Sequence, residues 1–253
     1  MPRLVPAVVR AFDVLELFLG DQVELTAQEI AERSGIPRSS LHELLTTLVA
    51  RGYLDRSTGA GGGFRLGPRL LELGSRYKDR LDLGSAAEAV ARVVAAECDE
   101  TVQVGVLDGP DVVYIAKIDS THGVRLISAV GRRLPAHCTA IGKVLLAQLS
   151  DAAFDELLPP ELPALTRNSI TSREVLREQL REVRRDGVAH ERSESNLDAG
   201  CVAAPVVDEA GRWIAAMSIT VPTSRQTPEG WTGWTALVRR GAAELSRRLG
   251  ATG

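Results

Sequence analysis

The sequence is poor in cysteine, histidine and aromatic residues. Its three cysteines, Cys98, Cys138 and Cys201, are odd in number and far apart. That argues against a disulfide framework and for a reducing compartment, so a cytoplasmic protein is expected. The four histidines include no HxxxH pair, and the cysteines include no CxxC, so no metal-binding signature is present. No apolar run approaches the roughly 20 residues that cross a bilayer, and no membrane association is expected. Arg10, Asp13 and Glu16 recur at helical spacing near the N-terminus, which does not suit a secretory signal. A strong charge of one sign is missing too: the net charge is −3. At 253 residues the chain has room for one small and one medium domain.

What the chain does have is the stretch Leu25–Tyr53, LTAQEIAERSGIPRSSLHELLTTLVARGY. Thr26 followed three residues later by Glu29 is a capping-box signature. Ala27, Ile30 and Ala31 share one helical face. Gly35 suits the positive φ that closes a helix, and Pro37 suits the first turn of the next. Leu41, Leu44, Leu45, Leu48 and Val49 form that helix's buried stripe. Its other face carries Arg38, Ser39, Ser40, His42, Glu43, Thr46 and Thr47. A plain helical hairpin with a solvated face fits this stretch alone. Short polar groups and an arginine near a helix start also fit a major-groove reader, and the neighbouring residues favour that reading.

Tyr53–Arg56 and Phe64–Leu66 read as two short strands about a glycine-rich turn. They make a wing whose tip is flanked by Arg56 and Arg65, suited to phosphate or minor-groove contact. From Arg33 to Arg80 nine Lys/Arg stand against four Asp/Glu, a basic segment in a mildly acidic chain. An amphipathic helix over Ala7–Leu19 completes a winged helix-turn-helix over residues 1–67. Its Val8, Ala11, Phe12, Leu15, Leu17, Phe18 and Leu19 are expected mostly in the core, with the surplus toward a second subunit. The candidate DNA-binding residues are Thr26, Pro37, Arg38, Ser39, Ser40, His42, Glu43, Thr46, Arg56 and Arg65.

Residues 68–84 read as a linker helix marked by Leu70, Leu71, Leu73, Tyr77 and Leu81. Gly84 and Ser85 are expected to interrupt it before a second helix carrying Ala86, Ala89, Val90, Val93 and Val94. Strands follow: TVQVGVLDG, DVVYIAKID and GVRLISAVG. PAHCTAIGKVLLAQLS reads as a loop entering a helix, and Leu176–Arg185 as a further helix. Val188–Glu194 is extended, and CVAAPVVDEAGRWIAAMSITVPTSR a hairpin turning at Asp208–Gly211. Thr235–Leu249 closes the chain as an amphipathic helix. The fold class is α+β: a winged helix-turn-helix, a helical linker and a sensor-like domain over residues 85–253. The amides entering the helix after His137 converge at a helix start, a favourable place for a carboxylate, with the Thr139 hydroxyl beside them and Gly142 in the first turn.

Taken together, the LTAQEIAERSGIPRSSLHELLTTLVARGYL block, FRLGPRLLELG, ETVQVGVLDGPDVVYIAKIDS, LPAHCTAIGKVLLA and CVAAPVVDEAGRWIAAMSIT resemble the IclR family of bacterial transcription regulators nearly end to end. The resemblance implies a GAF-like effector-binding domain, a homodimer or dimer of dimers, and binding of double-stranded palindromic operator DNA, with repression the commoner arrangement. It implies modulation by a small organic molecule, expected to be a carboxylate; some relatives carry a structural zinc, while no cofactor is expected here. The family's pocket positions fall on Ala140, Ile141, Glu191, Cys201, Ser218 and Thr220. Glu191 stands where an aspartate can occur, and Ile141 is bulkier than a common alanine.

Two rival classes use the same residues. A cysteine enzyme would take Cys138 or Cys201 as nucleophile and His137 or His190 as base, but no motif supplies an orienting acid. A metal sensor would use His122, His137, Cys138, His190 and Cys201, but their spacing is unsuited. Catalytic residues and metal ligands are therefore not expected, and His137 reads as a hydrogen-bonding loop residue.

Overall fold

A computed structural model describes the chain apart from residues 1–3, 21, 58–61, 81, 123–128 and 252–253, and apart from the side chains of residues 75–80 and 82. It divides into two units, Met1–Arg80 and Leu81–Gly253.

In the first unit, α1 (Pro6–Glu16) runs into a 3-10 turn, Leu17–Leu19. Helix α2 (Ala27–Ser34) starts on the capping box: the Glu29 N–H donates to Thr26 Oγ1 at 3.3 Å, and the Thr26 N–H to Glu29 Oε2 at 2.7 Å. It stops at Gly35, whose φ of +66° is costly for any residue with a Cβ. Helix α3 (Arg38–Ala50) follows, with Pro37 one step earlier than expected, extended at the cap position. Strands β1 (Leu54–Arg56) and β2 (Phe64–Leu66) pair antiparallel, and α4 (Pro68–Arg80) leaves the wing. Val14, Phe18, Leu25, Ile30, Leu41, Leu45, Leu48, Leu54 and Phe64 are among the core residues.

Helix α1 corrects the expectation that most of its apolar residues are core. Val14 and Phe18 are buried and Leu15 and Leu17 half-buried, while Val8, Phe12 and Leu19 are more than half or half exposed, at 50%, 57% and 75%. A single helix meets its own core along one stripe, so a broadly apolar helix leaves a second stripe outside.

The second unit opens with α5 (Asp82–Cys98). Gly84 and Ser85 lie within its first turn, so they do not interrupt the helices as the sequence suggested. Strands β3 (Thr101–Asp108), β4 (Asp111–Ile118), β5 (Arg133–Pro135), β6 (Ala189–Arg192), β7 (Ala199–Val207) and β8 (Trp213–Pro222) form an antiparallel sheet in the order β5-β4-β3-β8-β7-β6. The third expected strand, GVRLISAVG, falls largely on residues 123–128, outside the described residues. Helices α6 (Ala140–Ala147), α7 (Asp151–Leu157) and α8 (Arg173–Asp186) follow β5, and α9 (Pro228–Arg248) closes the chain. Helix α9 starts a turn and more before Thr235 because Thr227 caps it and Pro228 takes its first position.

Alternation along the strands sends side chains to two cores. Val102, Val104, Val202, Ala204, Met217 and Ile219 pack with α5 and α9. Gly241 of α9 permits this approach, since a Cβ there would lie 2.6 Å from Val94 and 2.8 Å from the Met217 sulfur. Val112, Tyr114, Ala203 and Ala216 pack on the other face with α6, α7 and α8.

Candidate functional site

The outward face of α3 presents Pro37, Arg38, Ser39, His42, Glu43 and Thr46 to solvent, with Ser40 half-buried. They do not form one surface. Arg38 and His42 line a hollow of about 420 Å³ with Gln28 of α2, Arg56 and Gly62. Ser40, Glu43 and Thr47 border a separate groove with α1. Thr46 turns its hydroxyl back to the His42 carbonyl at 2.8 Å. Thr26 is used by its own helix, its hydroxyl donating to Glu29 Oε2 at 2.8 Å, so it is a cap before it is a contact.

On the wing, Arg56 stands opposite Phe64 and Arg65 opposite Asp55. Directly paired residues share a face and neighbours alternate, so the two arginines point to opposite sides of the hairpin. Arg56 lies over the Phe64 ring at 5.5 Å, and Arg65 is 4.0 Å from Asp55 on the exposed side. Gln28 was missed by sequence reasoning; its place in the first turn of a capped helix beside a reading helix was the available signal.

In the second unit, Thr139 caps α6, accepting from the Gly142 N–H at 2.9 Å. That amide is thereby taken. A Cβ on Gly142 would lie 2.1 Å from the Ala136 carbonyl oxygen, so this residue is sealed against backbone. Gly142, expected at the effector site, thus packs against the Ala136 backbone and gives its N–H to the Thr139 cap. Ala140 and Ile141 are buried at the helix start, and Ile141 faces β3 at Gly105.

The sheet face beneath α6 brings the remaining residues together. Glu191 is in register with Cys201, Cys201 with Thr220, Ala203 with Ser218, and Ser218 with Gln103. Cys201 Sγ is 3.2 Å from Thr220 Oγ1, which donates to Gln103 Oε1 at 3.0 Å. Glu191 is fully buried, and Oε1 accepts from the N–H groups of Glu194 and Ser195, the latter at 3.1 Å. Burial outweighs these bonds and pushes its carboxyl up to about 7. Burial, with Cys201 and Glu191 nearby, raises the Tyr114 phenol above its ordinary range. Lys143 of α6 is buried with its ammonium 2.5 Å from Glu194 Oε1. Gln103, Tyr114, Lys143 and Glu194 were not singled out from the sequence. Lys143 could have been, as the lone charge in the run AIGKVLLA.

Burial raises the thiols of Cys138 and Cys201, which makes poor nucleophiles of them. His137 is buried, its Nε2 2.9 Å from the Pro163 carbonyl, and burial lowers its pKa, which suits a neutral loop residue. Among the described residues no group of three or more His, Cys, Asp or Glu is arranged to hold a metal.

Residues 75–247 match the family model of the bacterial transcriptional regulator IclR C-terminal domain, and residues 7–58 the IclR helix-turn-helix domain. The chain belongs to the IclR family. It is a DNA-binding transcription regulator built from the two domains that define that family. Among its IclR relatives, it is 35% identical to the HTH-type transcriptional regulator XynR of Escherichia coli over 98% of both chains. It is 31% identical to the transcriptional repressor IclR of Escherichia coli, over 97% of this chain and 90% of the repressor. Among solved structures, the IclR transcriptional regulator of Alicyclobacillus acidocaldarius superposes with a TM-score of 0.86 at 29% identity, covering 98% of this chain and all of that one. An IclR homolog from Microbacterium hydrocarbonoxydans, complexed with 4-hydroxybenzoate, also gives 0.86 at 29% identity, covering 96% and 98%. In this IclR chain the helix-turn-helix match includes α3 and the Gln28, Arg38, His42 and Arg56 of its hollow, and the C-terminal match includes the polar sheet face.

Proposed function

We infer that this chain is a cytoplasmic repressor that binds palindromic operator DNA as a homodimer or dimer of dimers and leaves it when a small organic acid occupies the sheet of the second unit. The observation that carries the reading is the convergence of Arg38, His42, Gln28 and Arg56 on one exposed hollow beside α3. An arginine fork beside an amide and an imidazole suits base edges, and Arg56 and Arg65, on opposite wing faces, suit separate phosphate contacts. Residues 1–67 read DNA, residues 68–84 connect, and residues 85–253 sense in a GAF-like domain.

The repressors and the 4-hydroxybenzoate complex among its relatives support the sign of regulation and the class of effector. In this reading the acid's carboxylate meets the amides of Ala140 and Ile141 beside Thr139. Ser218 and Thr220 take its polar end, and Cys201 and Ile141 wall it. Two half-sites one helical turn apart need two linked reading heads. A groove of about 730 Å³ supports such a pairing, with Val8 and Phe12 of α1 and Leu70 and Leu73 of α4 on its walls. The test is a mobility shift of the upstream intergenic DNA by the full chain at low salt. A retarded complex is expected, and its absence overturns the reading.

A further inference from the structure

On the sheet face that carries Ser218, Thr220 and Cys201, and in the turn beside it, two buried carboxylates lack part of their hydrogen bonding. Glu191 turns Oε1 to the backbone amides of Glu194 and Ser195, while beyond the weak donor of the neighbouring Cys201 thiol its Oε2 has no hydrogen-bond partner. Glu194, in the turn after β6, gives Oε1 to the Lys143 ammonium at 2.5 Å, and its Oε2 is likewise without a partner. Glu191 is 0% and Glu194 7% exposed. Ionised carboxylate oxygens only accept, and a protonated carboxyl adds one O–H donor; in either state a buried oxygen without a partner is costly. Two such oxygens stand three residues apart.

The charges around them limit what those donors can be. Glu191 and Glu194 against the single ammonium of Lys143 leave the corner negative or, with Glu191 protonated, neutral. A second ligand carboxylate would be repelled by the ionised pair. A ligand ammonium would crowd against Lys143. Next to the corner run neutral polar groups, Cys201 bonded to Thr220 and Thr220 to Gln103. Hydroxyl groups suit both: each donates to a carboxylate oxygen and still accepts from a neutral neighbour.

We propose that Glu191 and Glu194 form a hydroxyl-recognition corner that selects, as effector, a small acid carrying at least two hydroxyl groups at the end away from its carboxylate. This rests on the reading of the sheet face as the sensor site, and it goes further in naming the effector's chemistry and adding Glu194 to the residues that choose it.

The experiment measures binding of two matched series to the full chain by calorimetry and thermal melting. One series is gluconate, hexanoate, adipate and ε-aminohexanoate; the other is protocatechuate and benzoate. In one of the two series the hydroxylated acid should bind at least about tenfold more tightly than every other member, as expected for filling an otherwise unmet buried acceptor. Glu191→Gln should shrink that preference by about tenfold while the melting transition stays cooperative. Glu191→Asp, which keeps the charge but withdraws the oxygen, should shrink it too, and stands in if the glutamine variant does not fold. A merely structural Glu191 would change the melting temperature and leave the preference intact. Binding without a hydroxyl preference in both series, the result expected if buried waters satisfy the two oxygens, overturns the proposal. So do tighter binding of adipate, an unchanged preference in both variants, or no binding of either hydroxylated acid at millimolar concentration. Operator binding is measured separately by mobility shift. Its loss with the preference intact sinks the regulator reading alone, and its presence with the preference absent sinks the corner alone.

Discussion

Arg38 stands exposed at the start of α3 and can fork onto a base edge. Arg38→Ala is expected to cost about 1–3 kcal/mol at the operator and to relax its sequence preference. Arg65→Ala, on the far face of the wing, should weaken all DNA more evenly and lower the salt slope by about one. Titrations of binding against salt with operator and random duplexes distinguish the two; identical slopes and specificities would contradict the assignment. Glu191 makes a prediction about pH. Burial raises its carboxyl from 4.5 to about 7, so the folded chain prefers it protonated. Its contribution to stability is fully present below about pH 4.5 and is lost as pH rises through about 7, on the order of 3 kcal/mol in all. Glu191→Gln removes that slope. Its melting temperature, relative to the native chain, should therefore rise between about pH 5 and about pH 8. An offset that does not change with pH would show that Glu191 does not titrate as described.

At the scale of elements, α1 carries more apolar surface than its own core uses. Val14 and Phe18 face inward, while Val8 and Phe12 line a groove with Leu70 and Leu73 of α4. Covering such surface is worth about 25 cal/mol for each Å² removed from water, which supports an interface between two copies. Phe12→Glu should make the protein monomeric at micromolar concentration in sedimentation without loss of cooperative melting. An unchanged dimer would place the interface elsewhere. The helix-turn-helix itself was legible in the sequence because its signals are local: the Thr26–Glu29 box, Gly35 in the left-handed region, Pro37 ahead of α3. The hairpin β7–β8 was legible through alternation and the turn at Asp208–Gly211. Helix α7 and strand β5 were not, being short and without a full period of pattern.

The whole molecule comprises two units, Met1–Arg80 and Leu81–Gly253, with α4 ending the first and α5 opening the second. In the proposed reading, a ligand on the sheet changes operator affinity only by the difference in its affinity for the two arrangements of the reading heads. A coupling of about 1–3 kcal/mol corresponds to roughly 5–150-fold in that affinity. Ser218→Ala removes a hydroxyl from the sheet face without touching α3, so ligand-free operator binding should stay near normal. The inducer response should move to higher concentration. An unchanged dose–response curve would remove Ser218 from the effector site.

What the sequence determined by itself was the order and kind of most elements, the face of α3 left to solvent, and the family. Periodicity, caps and turns act within a few residues and can be read along a line. Only the tertiary structure decided which apolar stripe of α1 meets the core. It also decided that Thr139 spends its hydroxyl on the Gly142 amide, and that Arg56 and Arg65 diverge. The Lys143–Glu194 pair joins residues 51 positions apart, and the Thr220–Gln103 bond spans 117. No local pattern carries such separations. They are set when six strands take their register and α6 closes over the face they share, and the buried charges then take the partners that this packing leaves within reach.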